Sequence, residues 1–259
     1  MPIRLGGRPR HAPTIGDVVE SVTSSFRDLT LAAFVQRLAS ADPVPGGGSA
    51  SAVAGALGAS LVAMVAALSE GRPRYAAHAE THARAGSEGR RLVERLLDLA
   101  DEDAVAYGSF AAAMKLPRET DEERAARSVA MRTAARSAAE VPLACVAACR
   151  ELLSAAESLA GRSNANAASD LSVAAKLGEA AARGAAENVL INLSAMEDEP
   201  LAAQLTEQVD AYLHEVQEMA DRVRETVGSG TARDPLPIDG HANAQEPAGS
   251  GDRVENRSR

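Results

Sequence analysis

Residues 43–69 read PVPGGGSASAVAGALGASLVAMVAALS. From Ser49 to Ser69 there is no charged residue, and the run is long enough to span a bilayer. It is built mainly of Ala, Gly and Ser, with Val53, Leu57, Leu61, Val62, Met64, Val65 and Leu68 scattered through it. Ala and Gly add little to membrane insertion, and no second such run follows. The segment therefore reads as the buried central helix of a bundle, with no membrane partner. Ser51, Gly55 and Ala59 make a ridge of small residues at four-residue spacing, which lets a second helix come close. Pro43, Pro45 and Gly46-Gly47-Gly48 force a loop ahead of it, Ser49 is placed to cap it, and Gly71-Arg72-Pro73 ends it.

The same grammar extends in both directions. The chain has 259 residues and is 46% hydrophobic, yet only 2% aromatic. Its apolar content is mostly Ala, Val and Leu, and no segment is rich in strand-favouring residues. Thr30 can cap a helix to about Ala41. A long pattern runs from Tyr75 to Met114. Thr120 and Glu123 form a capping box opening a stretch to Ala160, with a kink expected at Pro142 and a stop at Gly161. A further helix reaches Met196, and Pro200 suits the first turn of a last one ending at Gly228. The expectation is an all-α bundle of about six mostly long antiparallel helices, without a sheet. Residues 1–26 are expected to be a poorly ordered N-terminal segment, 27–227 the helical domain and 228–259 a disordered tail.

Charge narrows the function. The net charge of −9 argues against nucleic acid as a partner, because phosphate neutralisation needs basic surface. Cys145 and Cys149, four apart on one helix face, read as small core residues, and a reducing cytoplasm fits them. His78 and His82 have chelating spacing, but their polar neighbours favour a solvated face, so no metal site is expected.

Four features could carry chemistry. Asp103 falls on the apolar stripe of the long third helix, with Leu92, Leu96, Leu99, Ala100, Tyr107, Phe110 and Met114. A core-facing carboxylate is costly unless paired or set in a polar cavity, so it is either a proton-transfer group or half of a buried pair with an Arg. Asp170 sits near a helix start, where the dipole favours a carboxylate whatever its role. Asn188 and Asn192 share a face further along that helix, but Asp170 lies about 27 Å from Asn188, too far to grip one reacting atom. Gly46, Gly47, Gly48 and Ser49 would let backbone N–H groups approach a carboxylate or phosphate.

These residues resemble those of the helical family that contains the cyclodeaminase domain of formiminotransferase-cyclodeaminase and stand-alone bacterial methenyltetrahydrofolate cyclohydrolases. The likeness covers 29–75, Asp101-Glu102-Asp103-Ala104, Ala106-Tyr107, Met114 to Pro117, Val141-Pro142-Leu143, Ser169-Asp170-Leu171 and Asn188 to Leu193. The resemblance implies an all-α homodimer acting on a one-carbon tetrahydrofolate, with or without a polyglutamate tail, and needing no cofactor. The reaction is closure of the 5-formimino compound to 5,10-methenyltetrahydrofolate with ammonia loss, or interconversion of the methenyl and 10-formyl compounds. It makes Asp103 and Asp170 the expected catalytic residues. Gly46, Gly47, Gly48, Ser49, Arg72, Lys115, Asn188 and Asn192 are the expected substrate contacts. No formiminotransferase domain is read in the chain, so channelling within one chain is not expected. The alternative is a non-catalytic helical dimer acting as a binding or interaction module.

Overall fold

The computed structural model describes residues 25–237. Residues 1–24 of the expected N-terminal segment 1–26, and 238–259 of the expected tail 228–259, lie outside the described residues. A 3-10 turn, Phe26–Asp28, leads into α1 (Leu31–Leu38), capped by Thr30, whose Oγ1 accepts the Ala33 N–H at 3.1 Å. The long helices follow as α2 (Gly47–Ser69), α3 (Ala79–Met114), α4 (Asp121–Leu159), α5 (Ala168–Leu193) and α6 (Glu199–Ser229). No strand occurs among the described residues.

Cross-helix pairs give the run of each helix. Arg91 of α3 bonds Glu151 of α4, and Arg127 of α4 donates to the Met114 carbonyl of α3, so the two are antiparallel. Arg150 pairs with Glu215, and Glu157 with Arg222, so α4 and α6 run parallel. Helices α2, α3, α4 and α5 pack around a shared core, with α6 laid on α4 and α5.

Small residues set how closely they pack. A Cβ on Gly89 would press on the Ala59 carbonyl and the Ala63 backbone, and one on Gly178 would meet Leu153 and Leu152. The Ser51, Gly55, Ala59 ridge is buried as expected. Between the helices lie Leu92, Leu96, Leu99, Leu152, Leu153, Leu159, Val62, Val65 and Val146, all essentially inaccessible. Each buried side chain of this size contributes on the order of 1.5–3 kcal/mol. Cys145 and Cys149 are free and buried here. Helix α2 is the one described helix long and apolar enough to cross a membrane, and half of its apolar window is buried.

Several details depart from the sequence reading. Helix α1 stops at Leu38, and α2 is preceded by Gly46 rather than capped by Ser49. The capping box of Thr120 and Glu123 forms, and α4 continues through Pro142. The apolar stripe of α3 outruns its partner: α2 begins level with Asp103, so Tyr107 and Met114 beyond it are half exposed. His82 is not on a solvated face. It is 1% exposed, with Nε2 at 2.9 Å from the Arg162 carbonyl. The chain after α6 folds back at the same end. Helix α6 runs past Gly228 to Ser229 and closes at Gly230, whose φ is +66°. The Arg233 amide then donates to the Gly161 carbonyl, Arg162 donates to the Asp234 carbonyl, and Pro235, Leu236 and Pro237 border a small cleft with Ala77, Glu80 and Thr81.

Candidate active site

The fold brings seven of the ten expected site residues to one end of the bundle, six of them lining one cavity. A cavity of about 210 Å³ opens there, lined by Pro43, Val44, Gly46, Gly47, Gly48, Asp103, Ala106, Tyr107, Ala138, Asn188 and Asn192. Each wall has a local cause. The Pro-Gly segment turns the chain into α2. Asp103 projects from α3 where α2 starts, while Asn188 and Asn192 stand one turn apart on α5.

Asp103 is held by one oxygen. Its Oδ2 accepts the Ser49 backbone N–H at 2.8 Å and the Ser49 hydroxyl at 2.9 Å. Among the described residues Oδ1 accepts no hydrogen bond, and Asp103 makes no ion pair, so the expected alternative of a buried pair with an Arg is not what the fold builds. Burial pushes its carboxyl above the ordinary aspartate range, partly offset by the two Ser49 hydrogen bonds. Gly48 leaves the room: a Cβ there would collide with the Asp103 carboxyl.

The glycine-rich helix start was expected to hold an anion of the ligand. The carboxylate at that N-terminus is instead the protein's own Asp103, and Ser49 faces it from behind. Ser49 is fully buried and does not line the cavity.

The two asparagines are fixed by main chain. The Asn188 amide donates to the Gly184 carbonyl at 2.8 Å. Both N–H groups of Asn192 are engaged, with the Asn188 carbonyl at 2.7 Å and the Ala138 carbonyl at 3.0 Å. The Ala138 carbonyl is available because Pro142, four residues on, has no N–H to give it. Asn192 is thus left with its Oδ1 for a ligand, and Asn188 with Oδ1 and one N–H.

The other three expected residues are elsewhere. Lys115 follows the last residue of α3, roughly 18 Å beyond Asp103 along the axis. Arg72 is exposed past the far end of α2, and Asp170 is in the first turn of α5, at the opposite end from Asn188. None of them lines the cavity. Tyr107, read as core, is a wall of it. Asp101, next to the site on α3, accepts the Ser25 hydroxyl at 2.5 Å and the Phe26 amide at 2.7 Å, tying the N-terminal turn to α3.

A larger depression, about 730 Å³, lies between α3, α4 and α6. Its acids are spent on neighbouring arginines: Glu88 and Glu151 bond Arg91, and Glu215 bonds Arg150. The hydrogen bond from Arg91 holds the Glu88 carboxyl below the ordinary glutamate range, the opposite of what burial does to Asp103.

Among proteins of known identity, methenyltetrahydrofolate cyclohydrolase of Methylorubrum extorquens is 36% identical over 200 residues, covering 77% of this chain and 96% of that one. Formimidoyltransferase-cyclodeaminase of Gallus gallus is 36% identical over 188 residues, and the matched part is 35% of its length. The chain thus spans about a third of the bifunctional relatives it matches. The crystal structure of formiminotetrahydrofolate cyclodeaminase from Thermotoga maritima superposes with a TM-score of 0.72 at 28% identity, covering 78% of this chain and 98% of that one. The family model described as formiminotransferase-cyclodeaminase matches residues 30–211, the segment that contains every wall of the cavity. The chain belongs to the formiminotransferase-cyclodeaminase family.

Proposed function

We propose that the protein is a tetrahydrofolate one-carbon enzyme whose reacting carbon sits beside Asp103 Oδ1. The observation that carries this reading is the acid held by one oxygen, with the other free in a small polar cavity. A cavity of about 210 Å³ is below the usual range for a whole drug-sized ligand. It suits one fused ring system, with the benzoate and glutamate portions lying outside. Asn188 and Asn192 offer one donor and two acceptors for the polar edge of a pterin.

The chemistry follows from charge. The methenyl compound carries a cationic amidinium across N5 and N10, and an ionised Asp103 stabilises it. In hydration, Asp103 takes a proton from the attacking water and returns it to N5 as the carbon–N5 bond breaks. In cyclodeamination, N10 attacks the carbon of the protonated formimino group, and Asp103 takes the N10 proton and passes it to the nitrogen that leaves as ammonia. Neither path changes the oxidation level of the carbon, so no redox cofactor is called for.

The cyclohydrolase reaction is the first reading, supported by the 36% identical relative that this chain matches over 96% of its length. Cyclodeamination is the second, supported by the Thermotoga maritima structure. A homodimer is part of the proposal. It is supported by the outward side of α2, where Leu57, Met64 and Leu68 are exposed and no charge interrupts them. A cytoplasmic location accords with the two free cysteines. The alternative of a non-catalytic module leaves the free Asp103 oxygen without a purpose, and kinship to named enzymes disfavours it.

The test is spectroscopic. Purified protein is added separately to the methenyl and 5-formimino compounds, following the near-ultraviolet methenyl band. Accelerated loss of the band from the first establishes the cyclohydrolase. A rising band with ammonia from the second establishes the cyclodeaminase. No change in either, with folded protein, overturns the proposal.

A further inference from the structure

Ser49 has two acceptors for one proton. Its hydroxyl lies 2.9 Å from Asp103 Oδ2 and 3.0 Å from the Ala100 carbonyl. A hydroxyl donates one hydrogen at a time. The neighbouring Ser49 amide has no such choice: its N–H is fixed by the start of α2 and points at Oδ2 whatever the charge on Asp103.

These facts divide the labour of the two carboxyl oxygens. A proton placed on Oδ2 would face the fixed amide hydrogen. A proton placed on Oδ1 meets no donor among the described residues and faces the cavity. We infer that Ser49 is a positioning residue for the reaction, not a substrate contact: its hydroxyl proton rests on Asp103 Oδ2 while the carboxylate is ionised, and turns to the Ala100 carbonyl when Oδ1 takes a proton. In both states the hydroxyl donates to something, so no buried polar group is left unpaired when the charge changes.

The inference deepens the folate reading, which it uses only to say what exchanges the proton. During hydration of the methenyl carbon, an O–H bond of water breaks as its oxygen bonds carbon. That proton goes to Oδ1, and Ser49 turns toward Ala100. The proton then passes from Oδ1 to N5 as the carbon–N5 bond breaks. The hydroxyl left on carbon releases its own proton to solvent as the formyl group forms. Asp103 ends ionised, Ser49 ends on Oδ2, and no electrons are transferred to the protein.

The surroundings of Asp103 make the effect of Ser49 measurable. From α2 it is faced by Gly47, Gly48 and Ser49, from α4 by Ala138, and from α5 by Asn188 and Asn192. On α3, Tyr107 is the one other titratable group lining the cavity, while Asp101 is engaged with Ser25 and Phe26, and Glu102 with Arg95. Neutral groups make up the rest, so Ser49 is the main polar control on the Asp103 proton.

The test titrates the Asp103 carboxyl carbon by NMR in protein carrying labelled aspartate, with the resonance identified by its loss in Asp103→Asn. In Ser49→Ala the proton affinity should rise about tenfold, because a hydrogen bond to the charged form is lost. In Ser49→Cys, whose S–H is a weak donor of similar shape, the rise should be intermediate. The acidic limb of the wild-type rate profile should move upward by the same amounts. An unchanged midpoint in both variants overturns the inference and leaves Ser49 as packing only. Ser49→Cys also answers the question if Ser49→Ala does not fold. Should the wild type act on neither folate while the carbon titration shifts, the folate reading fails and the Ser49–Asp103 coupling stands.

Discussion

Asn192 donates to the carbonyl that Pro142 leaves unpaired: its Nδ2 lies 3.0 Å from Ala138 O, the acceptor four residues before the proline. A proline inside α4 and an asparagine on α5 thus complete one hydrogen-bonding arrangement at the edge of the cavity.

The pairing is testable as a double-mutant cycle in urea. Asn192→Ala should cost about 1–3 kcal/mol, because a shielded carbonyl loses its donor. In a Pro142→Ala background residue 142 regains an N–H for Ala138, and most of that cost should vanish. Additive costs would refute the coupling.

Asp103→Asn should lower turnover by roughly 10²–10⁴, the usual range for a removed general acid or base, with helical content unchanged. Turnover within threefold of wild type would remove Asp103 from the mechanism.

The same variant should reveal a pH-dependent stability. Burial raises the Asp103 pKa in the folded state, so between the unfolded and folded values the native protein binds more protons than the unfolded chain. Asp103 therefore lowers stability as pH rises through that interval and imposes its full cost above it. The Tm of Asp103→Asn relative to wild type should increase from pH 4 to pH 7. A difference that is flat with pH would contradict this.

Gly48 and Gly108 make a contrasting pair. A methyl at Gly48 strikes the Asp103 carboxyl, whereas one at Gly108 meets nothing within 4 Å. Gly48→Ala should lower turnover at least tenfold and destabilise the fold. Gly108→Ala, in mid-helix, should stabilise it by about 0.4–1 kcal/mol with turnover retained. Equal behaviour of the two would show that the space over Gly48 is not specific.

His82→Ala tests the other end. It removes the contact with the Arg162 carbonyl and leaves a hole beside the Tyr75 and His78 rings. A loss of roughly 2–4 kcal/mol is expected by thermal melting, with kcat unchanged at a temperature where the variant is folded. A fall in kcat of folded protein would link the two ends.

What was legible in the sequence was what depends on one helix at a time. The uncharged run 49–69 marked the central helix, Thr120 with Glu123 marked the start of α4, and Asp103 stood out as a carboxylate on an apolar stripe. What depends on two helices was hidden. No spacing rule says that α2 begins level with Asp103, which makes Ser49 its holder rather than a cap and leaves Tyr107 a cavity wall. Pro142 did signal a carbonyl without its helical donor, but not which residue would supply one. His82 looked solvated because its partner, the Arg162 carbonyl, arrives 80 positions later in the chain.

The anchor of Asp103 is in part a main-chain amide, and that has a thermal consequence. No substitution short of proline deletes the Ser49 N–H; fraying of the first turn of α2 is what withdraws it from Asp103. That turn begins in a Gly-rich stretch whose own N-cap residue, Gly46, has no side chain to cap it, so it is a weak point of the long helix. Heating should therefore silence the enzyme reversibly below the temperature at which the bundle melts.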